Sequence, residues 1–411
     1  MTILIVGAGL SGISLARFLQ KDFLLVEKES DFGGLTRSVS TSGFTFDYAG
    51  HFLHWRSPLI FSLAQKILRD DFQVVLRHSA IYEFDRYIPF PFQANLEFLP
   101  PGIRRICQAG LPSKQPAMST ARSFSEWAKR NFGPGIFRYF LRPYNEKLWK
   151  INLDKLSAEW CPRFIPALRG KNKEGYNPQF IYPQRGGIFS LTKNLAKKIK
   201  IHTSCAVDKI NWQKKYALLS SGQKIYYHYL VNTSPLPDFL NRFIDLPQAV
   251  RQAGQKLKAN VVYCLNLGTE KVLFDWHWLY FPEKKYPFYR LGVYSNIAPA
   301  MAPAGQSSIY IEWSRRPEEK FDYRQQETIV GKILKQKKII GPVLVRQWLK
   351  INPGYVIYDF YRRPALKIIE KFLTENRIFS LGRYGKWQYS FMEEDILGAK
   401  KLAELLNHAR D

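Results

Sequence analysis

The stretch TILIVGAGLSGISLARFLQKDFLLVEKESDFGG, residues 2–34, decides the fold. Residues 2–6 are apolar and β-branched and predict a short buried strand, residues 13–21 have helical spacing, and residues 23–26 predict a second strand. Gly7, Gly9 and Gly12 lie between the first strand and the helix, and Glu27 follows the second strand. Strand, glycine turn, helix, strand and acid, in this order, predict a dinucleotide-binding βαβ unit.

Each part of this unit has a physical role in binding a dinucleotide. Gly7 permits the tight turn, Gly9 lets a pyrophosphate approach the backbone, and Gly12 lets the helix pack closely on the strand. The start of the helix then presents free N–H groups and the positive end of its dipole to the phosphates. We expect Glu27 to accept hydrogen bonds from a ribose hydroxyl, and its charge disfavours the 2′-phosphate of NADP.

Bulk properties limit the class of protein. With 411 residues, 46% of them hydrophobic, the chain suits one large domain or two interleaved domains. No apolar run is long enough to span a bilayer, and residues 2–6 lead into the glycine turn rather than a signal peptide, so we expect the cytoplasm. The cysteines lack metal-ligand or redox spacing and the histidines form no metal motif, so we expect no metal.

The net charge of +27 is large and needs an explanation. Nucleic acid, an anionic membrane surface and a polyanionic substrate would each account for it. Because the basic residues are spread along the chain and no nucleic-acid-binding module is recognisable, we expect no nucleic acid. A general basic character, helped by anionic ligands or lipid surfaces, is the favoured explanation, and peripheral contact with an anionic membrane stays open.

A glycine pair, Gly33-Gly34, follows Glu27 by six residues. An acid followed by such a pair resembles the extended fingerprint of FAD enzymes in the amine-oxidase and protoporphyrinogen-oxidase superfamily. An ordinary surface turn is the alternative interpretation of the pair. We therefore predict FAD, rather than NAD, as the cofactor.

The rest of the chain alternates between this nucleotide domain and a second one. Residues 230–235 and 377–380 predict strands that return to the first sheet, whereas residues 260–267, 290–294 and 308–313 predict a mostly antiparallel second sheet. The predicted fold class is α/β, with a Rossmann-type FAD-binding domain and a discontinuous substrate domain (antiparallel sheet plus helical insertion). The predicted FAD-binding parts are residues 1–75, 181–240 and 361–411, and the substrate parts are residues 76–180, with the helical insertion, and 241–360.

Other segments are candidates for the site. Gly50, His51 and His54 predict a loop against the flavin, and a structural hydrogen bond is the alternative role for each histidine. Residues 170–178 have the composition of a flexible lid, and the turn at Gly382-Arg383 begins a helix expected to face the flavin ring. Aromatic residues of the second sheet either line a pocket or pack in the core: Trp276, Trp278 and Tyr280.

Taken together, the chain resembles the UDP-galactopyranose mutases over nearly its whole length. The motifs that carry the resemblance are, in order, the FAD fingerprint, Gly50-His51-x-x-His54, Ala80-Ile-Tyr82, Pro91-Phe-Gln-Ala-Asn95, Tyr144-x-Glu-Lys-x-Trp149, Arg163 in Pro-Arg-Phe-Ile-Pro, Arg185-Gly-Gly187, Tyr289-Arg290, Tyr355-x-x-x-Asp359, and Gly382-Arg383 leading to Tyr389 and Met392. Two segments look more like protoporphyrinogen-oxidase or amine-oxidase relatives: Leu35-Thr36-Arg37 and Asp47-x-x-Gly50-His51.

The resemblance implies roles for the matching residues. Those expected to bind substrate are Tyr144 and Trp149 at the nucleotide, Arg163 and Arg290 at the diphosphate or sugar, Tyr355 and Tyr389 at the phosphates, and Tyr176 on the substrate side. An arginine fork pairs two phosphate oxygens at once and stays charged at any working pH. The expected cofactor-binding residues are Gly7, Gly9, Leu10, Ser11, Gly12, Glu27, Lys28, Gly33, Gly34, Leu35, Gly50, His51, Val207, Gly382, Arg383 and Met392.

The implied activity interconverts the pyranose and furanose forms of a UDP-sugar of the UDP-galactose type, for cell-surface polysaccharide synthesis. In such mutases the reaction proceeds through an adduct at N5 of the reduced flavin, so no protein nucleophile is needed and Arg163, Arg290 and His51 support it. The alternative is a FAD-dependent oxidoreductase acting on an amine, porphyrinogen or polyene, with an apolar tunnel in place of converging arginines. A basic protein that retains FAD without turnover is a third interpretation, and a homodimer stays open.

Overall fold

Two sheets organise the fold, which the computed structural model describes for residues 2–112, 121–165 and 177–409. The strands are β1 Ile3–Val6, β2 Phe23–Val26, β3 Ser38–Thr41, β4 Phe44–Asp47, β5 Phe72–Leu76, β6 Ser79–Glu83, β7 Arg86–Pro89, β8 Gln179–Pro183, β9 Ile201–His202, β10 Val207–Asn211, β11 Tyr216–Leu219, β12 Lys224–Tyr226, β13 Tyr229–Asn232, β14 Val261–Thr269, β15 Trp278–Tyr280, β16 Arg290–Val293, β17 Ser307–Arg315, β18 Val343–Ile351 and β19 Ile378–Ser380.

The helices surround these sheets. They are α1 Leu10–Phe18, α2 Pro58–Leu68, α3 Pro101–Ala109, α4 Phe124–Ile136, α5 Arg142–Trp149, α6 Cys161–Phe164, α7 Phe189–Leu195, α8 Leu236–Leu240, α9 Gln248–Gln255, α10 Tyr323–Gln336, α11 Arg362–Glu375, α12 Gly382–Gly385 and α13 Met392–His408, with a π-helical turn at Phe137–Leu141. Short 3-10 turns lie at Gly34–Thr36, Phe92–Ala94, Leu96–Phe98 and Pro299–Met301. Within the described ranges, no helix combines the length and apolar character needed to cross a membrane.

The first sheet is parallel, in the strand order β19-β13-β1-β2-β9. All residues of the central strand β1 are buried, as expected for an apolar strand covered on both faces. Helix α1 packs against α13, so the C-terminal helix covers the nucleotide-binding unit. The α1 helix begins at Leu10, earlier than the predicted residue 13, because it starts directly after the extended Gly9.

The second sheet has the order β18-β14-β17-β16-β15-β6-β7 and is antiparallel except where β15 pairs with β6. It combines strands from residues 79–89 with strands from residues 261–351. The long strands β14 and β17 are almost wholly buried and form its centre. The α/β fold class, with a parallel sheet and a mostly antiparallel one, is confirmed.

A helical segment lies between β7 and β8 and packs over the second sheet. It contains α3, α4, the π-helical turn and α5, and α4 is broken at Gly133 (φ 77°). A Cβ atom at residue 133 would lie 1.9 Å from the carbonyl oxygen of Gly110. Only glycine at this position therefore allows α3 and α4 to approach this closely.

Candidate functional site

The glycine turn after β1 borders a cavity of about 360 Å³. Gly7 has a φ of 99°, and the Thr233 hydroxyl lies 2.9 Å from its carbonyl oxygen, which fixes the turn. A Cβ atom on Gly12 would lie 2.0 Å from the same oxygen of Gly7. Only glycine at residue 12 therefore lets α1 pack this closely on the turn.

The glycine pair belongs to the same turn. The Gly33 N–H donates to the carbonyl oxygen of Ala8 at 2.8 Å, and a Cβ atom on Gly34 would lie 3.2 Å from Cα of Gly9. Gly9 precedes α1 and offers no side-chain cap, so the first N–H groups of the helix remain available beside the cavity. The arrangement fits a phosphate group at the helix start.

Glu27 presents a fixed carboxylate to this cavity. One of its oxygens accepts a hydrogen bond from the Ala8 N–H at 2.8 Å, and the other accepts from the Glu29 N–H at 3.0 Å. The residue is only 8% exposed and lines the cavity at the end of β2. Because a carboxylate has about four acceptor positions, it can still accept hydrogen bonds from a ribose.

A second cavity, of about 250 Å³, lies between the second sheet, the helical segment and the C-terminal turn. It is contiguous with the first one. The residues that line both are Leu35, His51, Ile351, Arg383, Tyr384, Ser390 and Met392. A group bound at this junction is therefore in contact with both cavities.

The second cavity is positively charged. Among the described residues that line it, the charged ones are Arg77, Arg290, Arg383 and Glu312. Arg290 is 14% exposed, its Nη1 lies 3.6 Å from Oε1 of Glu312, and its guanidinium lies 5.2 Å from the Trp278 ring centroid. The guanidinium of Arg383 lies 4.5 Å from the Tyr389 ring centroid. Three guanidinium groups and one carboxylate favour an anionic ligand.

Two histidines and two tyrosines of the cavity are neutral at working pH. Burial, with the charge of Arg383, lowers the pKa of His51 to about 4, and burial lowers the pKa of His54 to about 4. Burial also raises the pKa of Tyr355 and Tyr389 above the usual value for tyrosine. These side chains therefore offer neutral donors and acceptors, while the arginines supply the charge.

Most predicted cofactor-binding residues line the first cavity: Gly7, Gly9, Leu10, Ser11, Glu27, Lys28, Gly33, Gly34, Leu35, His51, Val207, Arg383 and Met392. Gly12 instead packs against the turn, and Gly50 lines the second cavity. At Gly382 (φ 78°) a Cβ atom would lie 2.1 Å from Oγ of Ser11, so this glycine allows the C-terminal turn to approach α1.

The predicted substrate residues that line the second cavity are Tyr144, Trp149, Arg290, Tyr355 and Tyr389. Arg163 does not line it. Its side chain is exposed at the rim, pairs with Glu394, and lies 5.0 Å from the Phe164 ring centroid. Tyr176 and residues 170–176 of the predicted lid lie outside the described residues. Trp278 and Tyr280 line the cavity, whereas the Trp276 ring centroid lies 3.9 Å from that of His78.

Some lining residues were not predicted from the sequence. Glu312 pairs with Arg290 across β16 and β17, and an acid inside an otherwise apolar strand pattern was a usable signal. Arg77 directly follows β5 and lies 4.4 Å from the Phe90 ring centroid. No local pattern distinguishes it from the other arginines of a basic chain.

A comparison with protein families decides the assignment. The model of the flavin-containing amine oxidoreductases matches residues 10–350. The chain belongs to this family. It is therefore a flavin-dependent enzyme, and the family accounts for the dinucleotide cavity.

Solved structures similar to this chain include a mutase and two oxidases. A reduced UDP-galactopyranose mutase is 25% identical with a TM-score of 0.90, covering 100% of this chain and 96% of that chain. A putative protoporphyrinogen oxidase from Exiguobacterium is 14% identical (TM-score 0.78; 99% and 98% covered). Cyclohexylamine oxidase from Brevibacterium oxydans is 15% identical (TM-score 0.70; 99% and 98% covered). The last two similarities concern the fold.

The residues present fit an FAD. The uncapped start of α1 and the close-packed glycines suit the pyrophosphate, and the fixed carboxylate of Glu27 suits the ribose. At the junction of the cavities, Nδ1 of His51 and Nε of Arg383 are buried without a hydrogen-bond partner. Buried polar atoms normally have partners, so these two atoms mark the place expected for the flavin ring.

Proposed function

We propose that this flavin-dependent enzyme is a sugar-nucleotide mutase that interconverts the pyranose and furanose forms of a UDP-sugar of the UDP-galactose type, with its flavin reduced. The observation that carries the proposal is the positive charge of the second cavity beside the flavin site. A nucleoside diphosphate suits three arginines, whereas the cationic substrate of an amine oxidase would be repelled by them. The similarity to the reduced mutase structure supports the same substrate class.

The protein side of the reaction is recognition and charge stabilisation. When bound in its reduced form, the flavin supplies the nucleophile for the anomeric carbon of the sugar. Arg290 and Arg383 bind the diphosphate and stabilise the charge that develops as the bond between UDP and the sugar breaks. Tyr355 and Tyr389, held neutral by burial, donate hydrogen bonds to phosphate oxygens. Tyr144 presents an aromatic face to the uracil ring.

His51 contributes a neutral imidazole close to the flavin site. Since its pKa is lowered to about 4, it adds no further positive charge between the arginines. The proposal extends to cell-surface polysaccharide synthesis in the cytoplasm, and this part rests on the substrate class alone.

The first test is a UDP titration of the dithionite-reduced protein, followed by flavin absorbance. We expect saturable binding with a Kd below about 1 mM. Arg290→Met should abolish it while the flavin content stays unchanged, because Arg290 lines only the second cavity. Arg185→Met is the matched control, since Arg185 is exposed and pairs with Asp71. Flavin without any UDP effect would contradict the proposal.

Turnover then separates the two reaction types. A mutase converts a UDP-sugar to an isomer of equal mass, requires reduced flavin, and consumes no reductant in stoichiometric amount. Oxygen consumption with an amine, and no isomerisation of UDP-galactose, would instead establish an oxidase.

A further inference from the structure

A half-buried ammonium group joins the two elements that carry the proposed nucleotide site. Lys147 lies on α5, and its Nζ donates hydrogen bonds to the carbonyl oxygens of Phe281, Glu283 and Phe288 at 2.7, 2.5 and 3.2 Å. An ammonium has three N–H donors, so these contacts use all of them. The three carbonyl groups belong to residues 281–289, which connect β15 to β16.

Both joined elements contribute to the second cavity. Helix α5 carries Tyr144 and Trp149, while Tyr280 ends β15 and Arg290 begins β16. The rings of Tyr144 and Tyr280 are 5.3 Å apart, so the two elements are in contact at the cavity wall. Lys147 itself does not line the cavity.

The connection is also fixed directly before Arg290. The Tyr289 N–H donates to the backbone oxygen of Glu312 at 3.0 Å, and the Tyr289 hydroxyl donates to the carboxylate of Glu312 at 2.5 Å. The β17 strand therefore holds one end of the connection, while Lys147 holds the part that faces α5. Without Lys147, the connection keeps its hydrogen bonds to β17 but loses those that join it to α5.

One acidic group nearby, Glu283, favours the charged form of Lys147. Glu283 lies in the connection itself, whereas burial raises the pKa of Glu83 on β6 to about 9, so Glu83 is neutral at working pH. Burial lowers the pKa of Lys147 to about 7, with Glu283 opposing the shift. A charged group in such a position is unfavourable unless several partners compensate it. The three carbonyl groups provide this compensation, which indicates that Lys147 is needed at this place in the fold.

We propose that Lys147 is a positioning residue, which sets the distance between the base-binding face of α5 and Arg290 and thereby determines the affinity for UDP. The inference rests on the proposed function. It predicts that losing the three hydrogen bonds weakens UDP binding although Lys147 makes no contact with the nucleotide.

The test compares Lys147→Met with the control Lys155→Met, since Lys155 is an exposed lysine close to the end of the same helix. We expect the Kd of UDP for the reduced protein to rise about tenfold in Lys147→Met, because a small displacement of binding groups is costly. Flavin content should match the wild type in both variants. If Lys147→Met fails to fold, Lys147→Gln, which retains two donors, should show an intermediate loss.

A double-mutant cycle separates positioning from general stability. In an Arg290→Lys background, which keeps residual charge, Lys147→Met should weaken UDP binding by less than about twofold, because Arg290 is no longer there to be positioned. Equal effects in both backgrounds, or an unchanged Kd in Lys147→Met, would overturn the proposal. No UDP binding by the wild type would instead refute the proposed function.

Discussion

Burial determines the charge of three histidines, of which His51 and His54 line the second cavity. Besides His51 and His54, His277 is held neutral, and burial with the nearby His78 lowers its pKa to about 4. His277 is 9% exposed, and its Nδ1 accepts a hydrogen bond from the His78 N–H at 3.1 Å. Only the neutral imidazole can accept this hydrogen bond, so acid opposes the native contact.

The His277 site predicts a specific pH dependence of stability. In the unfolded chain the imidazole takes up a proton below its ordinary pKa of 6.5, whereas in the folded state it does so only near 4. Its contribution is therefore fully present above pH 6.5 and is lost as the pH falls towards 4, by about 3 kcal/mol in total. His277→Asn, which keeps an acceptor, should lack this loss.

Chemical denaturation of both proteins between pH 4 and pH 7.5 measures the difference in the free energy of unfolding. His408→Asn is the control, because His408 is exposed on the C-terminal helix. If the difference in the free energy of unfolding between His277→Asn and the wild type does not change with pH, the pH dependence does not come from His277.

Two glycines that lie within helices differ in whether their surroundings leave room for a side chain. A Cβ atom on Gly12 in α1 would lie 2.0 Å from the backbone oxygen of Gly7, whereas a Cβ atom on Gly331 in α10 would meet nothing within 4 Å. Gly331→Ala should stabilise the protein by about 0.5–1 kcal/mol, the usual gain for alanine within a helix. Gly12→Ala should separate α1 from the turn and lose the flavin.

The measurements are flavin absorbance after gel filtration and the thermal midpoint of each variant. Because both changes are identical and both lie in helices, a difference between them reports the surroundings of each glycine. Retention of flavin by Gly12→Ala would show that the close packing of α1 is not required.

The sequence predicts an element best when the residues that determine it lie close together along the chain. The β1–α1–β2 unit was predicted because strand composition, glycine spacing and the acid all lie within residues 2–34. The pairing of Arg290 with Glu312 depends on the register of β16 and β17, which no local pattern specifies. The orientation of Arg163 depends on Glu394, which is distant in sequence. The predicted domain boundaries and site roles remain predictions.

The cavities belong to the molecule as a whole, because distant parts of the chain meet around them. The junction between them is lined by Leu35, His51, Ile351 and Arg383, from the glycine-pair turn, the histidine loop, the end of β18 and the C-terminal turn. Strands β3 and β4 lie between Leu35 and His51 in sequence, most of the second sheet lies between His51 and Ile351, and α11 and β19 lie between Ile351 and Arg383. The site therefore forms only once both sheets have assembled.

The overall charge predicts how an anionic ligand reaches this site. The chain has 61 lysines and arginines against 34 acidic residues, and the second cavity carries the same sign of charge. Long-range attraction should therefore accelerate the association of UDP, and added salt should screen it.

Between about 20 and 200 mM salt we expect the association rate of UDP to fall roughly tenfold, measured by stopped-flow flavin absorbance. Uridine, which is uncharged, should show no such dependence. A UDP rate that does not respond to salt would mean that the net charge does not guide the nucleotide, and an anionic membrane surface would then become the partner to test with vesicles.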